Sequence, residues 1–227
     1  MRRSFLNIAI FLVINVPLTA VLSLVLASVL NRVVRFASVF RVAFYIPPYV
    51  TASVSLIGVW MLLFSSDGLV NMILGPLAPP DPSWLVNSSL AMPSIALYVT
   101  WKQLGFYILL YLAALQNIPK ELYESASTDG AGALQRFRNV TVPPGVRSVT
   151  ALVLILAIIT GANLFTEPYL LTNGGGPDGA SATPPVLLIY QKGIQQTNPD
   201  VASAIGVILV IGIGVLSMLA ARTGRES

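Results

Sequence analysis

Two ionisable side chains, Lys102 and Glu167, lie inside otherwise apolar stretches of this chain. A charge at the centre of a membrane helix costs about 2.5–3.5 kcal/mol on insertion scales. Such a charge therefore marks a path for polar solutes, or it snorkels or is paired inside a bundle. Lys102 has Gln103 beside it, and Glu167 precedes Pro168. Asn163, Thr166 and Tyr169 crowd around Glu167. On one continuous helix Asn163 and Glu167 would share a face, being one turn apart. Lys102, Asn163, Thr166, Glu167 and Tyr169 are thus the candidates for lining a solute path.

A second stretch, residues 116–147, carries local structure of its own. Pro119 suits a first helical position. Lys120–Thr128 has helix formers, with Leu122 and Ala126 on one face. Asp129-Gly130 is a break, where Gly130 can take the left-handed conformation that ends a helix. Ala131–Val140 can form a second helix, with Leu134, Phe137 and Val140 at three-residue spacing, and Pro143-Pro144 stops it. Spacing alone reads as helix, Gly turn, helix at a membrane surface, which an interfacial amphipathic hairpin would also satisfy.

Other chemistry is excluded by composition. The chain has no cysteine and no histidine, so thiol redox chemistry, Cys or His metal sites and a histidine base are absent. Its nine acidic residues form no obvious cluster. No Gly-x-x-x-x-Gly-Lys-Ser/Thr loop is present, so the sequence offers no phosphate cradle of its own. The net charge of +4 does not point to nucleic acid, because the positive residues sit in loops between apolar blocks.

Those blocks are the elements that must hold the polar residues. Apolar residues make up 55% of the chain and charged ones 10%, against about 25% charge in a soluble domain. A membrane helix needs about 20 mostly apolar residues. Five stretches qualify, at about 5–30, 42–64, 90–115, 149–171 and 201–221. They are continuously apolar rather than alternating, so helices are expected and a barrel is not. The first is too long for a signal peptide's apolar region, and four more follow. The chain reads as one all-α membrane domain over 1–227, with five transmembrane helices and a cytoplasmic helix-turn-helix loop at 116–147. Pro47-Pro48 should kink the second span. Residues 65–89 and 172–200 read as turn-rich caps.

Orientation follows from Lys and Arg. The loops after spans one and three and the tail hold nine of them, among them Arg35, Arg41, Arg138 and Arg147. The other side holds Arg2, Arg3 and Lys192. The richer side belongs in the cytoplasm, which places the C-terminus inside and the N-terminus outside. Arg2 and Arg3 fit that poorly.

The 116–147 loop resembles the signature of binding-protein-dependent ABC importer permeases. That signature is Glu-Ala-Ala, then Gly, then Ile-x-Leu-Pro. The matching residues are Glu124, Ala126, Gly130, Val140, Val142 and Pro143, with Ser125 replacing the first Ala and Val140 and Val142 replacing Ile and Leu. Ile118-Pro119-x-Glu121-Leu122-Tyr123 and Asp129-Gly130-Ala131 are similar to the sugar branch. So are Trp60, Gly68-x-x-Asn71, Trp101…Gly105-Phe106 and Leu171-Thr172-Asn173-Gly174-Gly175-Gly176-Pro177 with Thr183. The last element resembles one permease type of maltose and glycerol-phosphate importers, with one extra residue here.

The resemblance implies a coupling loop that docks in a groove of a cytoplasmic ATPase, with Glu124, Ala126, Asp129, Gly130, Leu134, Phe137 and Pro143 as its contact and turn residues. It implies a second permease subunit, two ATPase subunits that hydrolyse ATP, and an extracytoplasmic solute-binding protein. No cofactor would sit in this chain, which would be a non-enzymatic permease for a sugar or sugar-like solute in a bacterial cell membrane, surrounded by lipid. In similar permeases the region around Asn163–Tyr169 contributes sugar contacts. Members usually have six or more helices and a cytoplasmic N-terminus, so the expectation is that a first helix is absent here, through a late start or a real five-helix form. The rival expectations are a permease for another solute, a secondary transporter, and an inactive scaffold.

Overall fold

Apolar runs of this length must satisfy their backbone internally, and helices do so. The computed structural model describes residues 1–32, 54–79, 84–137, 139–140, 146–176 and 178–225. Among them the regular elements are all helical. They are α1 (Arg2–Arg32), α2 (Val54–Leu63), α3 (Leu69–Leu74), α4 (Ala91–Gln116), α5 (Lys120–Thr128), α6 (Ala133–Arg136), α7 (Arg147–Ala162), α8 (Thr166–Leu171), α9 (Pro185–Tyr190) and α10 (Pro199–Arg225). Single 3-10 turns occur at Gly75–Leu77 and Trp84–Val86, and a wider π-type turn at Gln191–Gln195 continues α9.

Helices α1, α4 and α10 are long and apolar enough to cross a membrane, matching the first, third and fifth expected spans. Of the second, only the part from Val54 onward lies within the described residues, so Pro47-Pro48 and Arg41 fall outside them. The fourth expected span, 149–171, is not one helix. It divides into α7, whose 16 residues reach only about 24 Å, and the six-residue α8. Pro168 supplies the reason. It has no N–H for the carbonyl four residues back, and its ring crowds that carbonyl, which favours a break before it, although α1 runs on through Pro17. A new helix starting at Thr166 tolerates Pro168 in its first turn. The expected common helical face of Asn163 and Glu167 is therefore overturned. Asn163 caps α7 and donates through Nδ2 to the Ile159 carbonyl at 2.8 Å.

Two further expectations change. The loop 172–200 contains α9 and its π turn; Pro184-Pro185 starts a helix here, as proline at a first helical position does. The second helix of the 116–147 loop, expected over Ala131–Val140, is α6 alone, continuing in wider turns at Phe137, Asn139 and Val140.

Helices α1 and α4 pack side by side and parallel. Ile8 and Phe11 share one core with Met92, Ile95 and Val99, and Ala20 and Ala27 share another with Tyr107, Ile108, Tyr111 and Leu115. Between these cores the Asn15 amide donates to Thr100 Oγ1 at 2.8 Å. Ser4, Asn7, Asn15, Thr19 and Ser23 are all buried and recur at helical spacing on one face of α1. This polar stripe was visible in the sequence at that spacing. Helix α10 packs on α7 and leaves Val207, Val210, Ile211, Val215 and Met218 exposed, a surface suited to lipid.

Helix α7 meets α1 at Gly161. A Cβ there would lie 2.9 Å from both Phe11 Cε1 and Leu12 Cδ2, and Phe11 is fully buried. Gly161→Val should overpack this crossing and destabilise the chain by about 1–3 kcal/mol. Thermal unfolding in detergent checks this against Gly212→Val, whose Cβ would meet nothing within 4 Å.

Candidate functional site

The structure brings Lys102 and Glu167 together, 65 residues apart in sequence. Lys102 Nζ donates to Glu167 Oε1 at 2.7 Å. The lysine comes from the interior of α4 and the glutamate from the first turn of α8. Their side chains are 25% and 12% exposed. The pair is thus sheltered but open on one side.

Aromatic rings flank it. Tyr98, Trp101 and Lys102 are three and four residues apart on α4, so they share a face. Trp60 of α2 stacks on Trp101 with centroids 5.6 Å apart and meets the Tyr98 ring edge-on at 5.2 Å. Phe64 stacks on Trp60 at 4.4 Å and meets Trp84 at 5.2 Å. On the other side Phe165 stacks on Tyr169 at 5.6 Å, and Tyr190 of α9 closes against both. Helix α8 packs against both α2 and α4. Two donors in this region have no partner: the buried Trp60 Nε1 and the Tyr98 hydroxyl.

Of the candidates read from sequence, Lys102 and Glu167 are brought into contact here, while Tyr169, two residues further along α8, packs on Phe165 and Tyr190. Thr166 opens α8 and is exposed, while Asn163 bonds its own helix end and is exposed. Trp60, Tyr98, Trp101, Phe165 and Tyr190 were not singled out as lining residues. Only the spacing of Tyr98 and Trp101 relative to Lys102 could have flagged any of them.

Beyond α8 the chain closes into a glycine-rich loop. Asn173, Gly174, Gly175 and Gly176 have φ of 50°, 92°, 152° and 92°, a region that favours glycine. Gly174 N–H donates to the Tyr169 carbonyl at 2.8 Å, tying the loop to α8. A Cβ on Gly175 would lie 2.6 Å from Thr183 Oγ1. Gln191 Nε2 donates to the Gly174 carbonyl at 2.7 Å. From α1, Asn7 Nδ2 donates to the carbonyls of Ala180 and Thr183 at 2.7 and 3.2 Å, and Arg3 pairs with Asp178 at 3.5 Å. Asn7→Leu should leave both carbonyls without this donor, a loss of about 1–3 kcal/mol. Limited proteolysis checks it: cleavage within 173–183 should accelerate in the variant, and an unchanged pattern would mean that the loop holds itself.

The 116–147 loop lies at the other end of α4. Ile118 is buried in the core formed with Tyr107–Leu115, and Tyr123 packs against it. That anchors α5 and leaves Glu121, Leu122, Glu124, Ser125 and Asp129 exposed, with Ala126 half-buried. Gly130, at φ 75°, ends the helix as expected. Its N–H donates to Ser127 O at 3.1 Å, and Ala131 N–H reaches back to Ala126 O at 2.9 Å. Phe137 is half-buried; Leu134 has its backbone in α6, and Pro143 lies outside the described residues.

The match to known proteins is extensive. The model of a family described as binding-protein-dependent transport system inner membrane component matches residues 3–223. An arabinooligosaccharides transport system permease protein, AraP of Halalkalibacterium halodurans, is 34% identical over 215 residues, which is 93% of this chain and 67% of that protein. The sn-glycerol-3-phosphate transport system permease protein UgpA of Yersinia pestis is 33% identical over 219 residues, covering 94% of this chain and 72% of that one. A crystal structure of a bacterial ABC transporter involved in the import of the acidic polysaccharide alginate contains a chain that superposes with a TM-score of 0.82. It is 24% identical and covers 99% of this chain and 78% of its own.

Proposed function

The chain belongs to the binding-protein-dependent transport system inner membrane component family, and from that premise we propose that it is the permease subunit of an ATP-driven importer for a sugar or sugar-like solute. The observation that carries the reading is the 116–147 loop. Helix α5 is anchored through Tyr123 to the bundle, yet exposes Leu122 and Glu124 outward. An anchored helix with exposed apolar and acidic side chains suits docking to another protein: Leu122 fills an apolar pocket and Glu124 pairs with a basic residue. Closure of that partner then moves α4, because α5 follows directly from its end.

In this reading two cytoplasmic ATPase subunits dock below and hydrolyse ATP. A second permease subunit encloses the path with this one, and a solute-binding protein delivers solute from outside. The chain itself performs no catalysis and holds no cofactor. It lies in a bacterial cell membrane with its C-terminus in the cytoplasm, where the greater number of Lys and Arg belongs. The Lys102–Glu167 junction lines the path, and alternating access moves the solute past it.

The test is purification of the tagged chain from its native membranes in mild detergent, followed by mass spectrometry. An ATPase and a second permease should accompany it. Recovery of intact chain without any ATPase would remove the importer reading and favour a scaffold.

A further inference from the structure

The relatives named above carry solutes of different charge by their own descriptions: an arabino-oligosaccharide, a glycerol phosphate and an acidic polysaccharide. The family therefore leaves open which charge this chain accepts. The junction of α2, α4 and α8 bears on that choice. Together these three helices contain one cation and one anion, Lys102 and Glu167, and the two are in contact at 2.7 Å.

We propose that this pairing makes the junction a site for an uncharged, hydroxyl-bearing ring rather than for a carboxylated or phosphorylated sugar. The inference rests on the importer reading and names the solute class of its path. Three observations carry it. The lysine's counter-charge is already in place, so an anionic solute would have to displace the Glu167 carboxylate. That would strand a carboxylate only 12% exposed, at a site where an unpaired charge is strongly disfavoured. Second, the unpartnered groups beside the pair are neutral, the side-chain oxygen of Gln103 next to Lys102 among them. Trp60 Nε1 and the Tyr98 hydroxyl are buried without a hydrogen-bond partner, and a buried polar group in a native fold calls for one. A solute hydroxyl supplies the acceptor. Third, the stacked Trp60 and Trp101 rings present apolar area, and Trp101 is 47% exposed. An apolar wall with a few convergent polar groups is the general form of a small-solute site.

The chain's lack of cysteine makes the charge of this junction directly measurable. Thr166 is exposed and adjacent to Glu167. In the assembled importer, Thr166→Cys would be treated with neutral hydroxyethyl methanethiosulfonate or anionic sulfonatoethyl methanethiosulfonate. Mass spectrometry of this chain then follows each rate, and a free small thiol sets the reagents' intrinsic ratio. In the Thr166→Cys chain the anionic-to-neutral ratio should be no higher than on the free thiol. With Glu167→Gln added, the bare Lys102 should raise it about tenfold, as expected for one charge a few ångströms away in a partly hydrated site. A ratio already raised tenfold with Glu167 present would show a net positive site and overturn the proposal. So would a ratio unmoved by Glu167→Gln, or a cysteine that neither reagent reaches. Co-purification of an ATPase does not depend on this ratio, so loss of the importer reading and loss of the neutral-site inference would be seen separately.

Discussion

Removing one partner of the Lys102–Glu167 pair should cost far more than removing both. Lys102→Met strands the Glu167 carboxylate, and Glu167→Gln strands the Lys102 ammonium. Breaking a fully buried pair from one side costs about 3–5 kcal/mol. With side chains 25% and 12% exposed, residual water lowers the expectation to about 2–3 kcal/mol for each single variant. The double variant Lys102→Met/Glu167→Met removes both charges and keeps apolar volume, so it should unfold closer to the parent than either single one. That non-additivity is the signature of direct coupling. Thermal unfolding of the assembled importer in detergent reads it as a double-mutant cycle. Additive losses would mean that each charge is held by something else. If the pair lines the solute path as proposed, the double variant should nonetheless transport poorly.

The prediction depends on a contact that no local pattern announces. Each charge was conspicuous by itself, because Lys102 and Glu167 interrupt apolar runs. Their meeting requires α8 to sit against α4, and that requires the fourth span to break. The break was legible in part: Pro168 disfavours a helix running through residue 164, although α1 tolerates Pro17. The mainly apolar composition of residues 149–171 hid it, since hydropathy reports solvent and not backbone geometry. The aromatic wall was illegible for a different reason. Trp60 and Trp101 lie on separate helices, and their stacking at 5.6 Å is a product of tertiary packing. Helix α9 was masked by a Gly- and Pro-rich neighbourhood, although Pro185 followed by Val-Leu-Leu-Ile-Tyr is a sound helix start.

Local signals fared better. The end of α5 at Gly130 depends on one residue's φ and on bonds within a few positions, so residue type nearly determines it. The long helices α1, α4 and α10 were legible because bilayer thickness sets the length of apolar run that a span needs. The polar stripe on α1 falls between these cases. Its helical spacing is local, but Asn7 finds its partners 173 and 176 residues away.

Gly130→Pro should abolish retention of the ATPase while leaving the membrane bundle assembled. Proline fixes φ near −65°, whereas Gly130 has φ 75°, so the turn between α5 and α6 cannot form. Proline also lacks the N–H that Gly130 donates to Ser127 O. The last turn of α5 then loses its cap, and the exposed Leu122 and Glu124 are no longer held in fixed directions relative to α6. Gly130→Ala separates these effects. Alanine keeps the N–H, and its Cβ would meet nothing within 4 Å, so it bears only the cost of the left-handed conformation, about 1–2 kcal/mol. In the native-membrane purification, the proline variant should retain the second permease and lose the ATPase, with solute uptake down at least tenfold, the loss that follows from about 1.4 kcal/mol or more of docking energy. The alanine variant should keep both partners. If the proline variant retains a full complement of ATPase, the docking surface lies elsewhere than α5 and its Gly130 turn. If the second permease is lost as well, the substitution has damaged the bundle itself, and the loop's role would have to be read from Glu124→Ala, a change confined to the exposed face of α5.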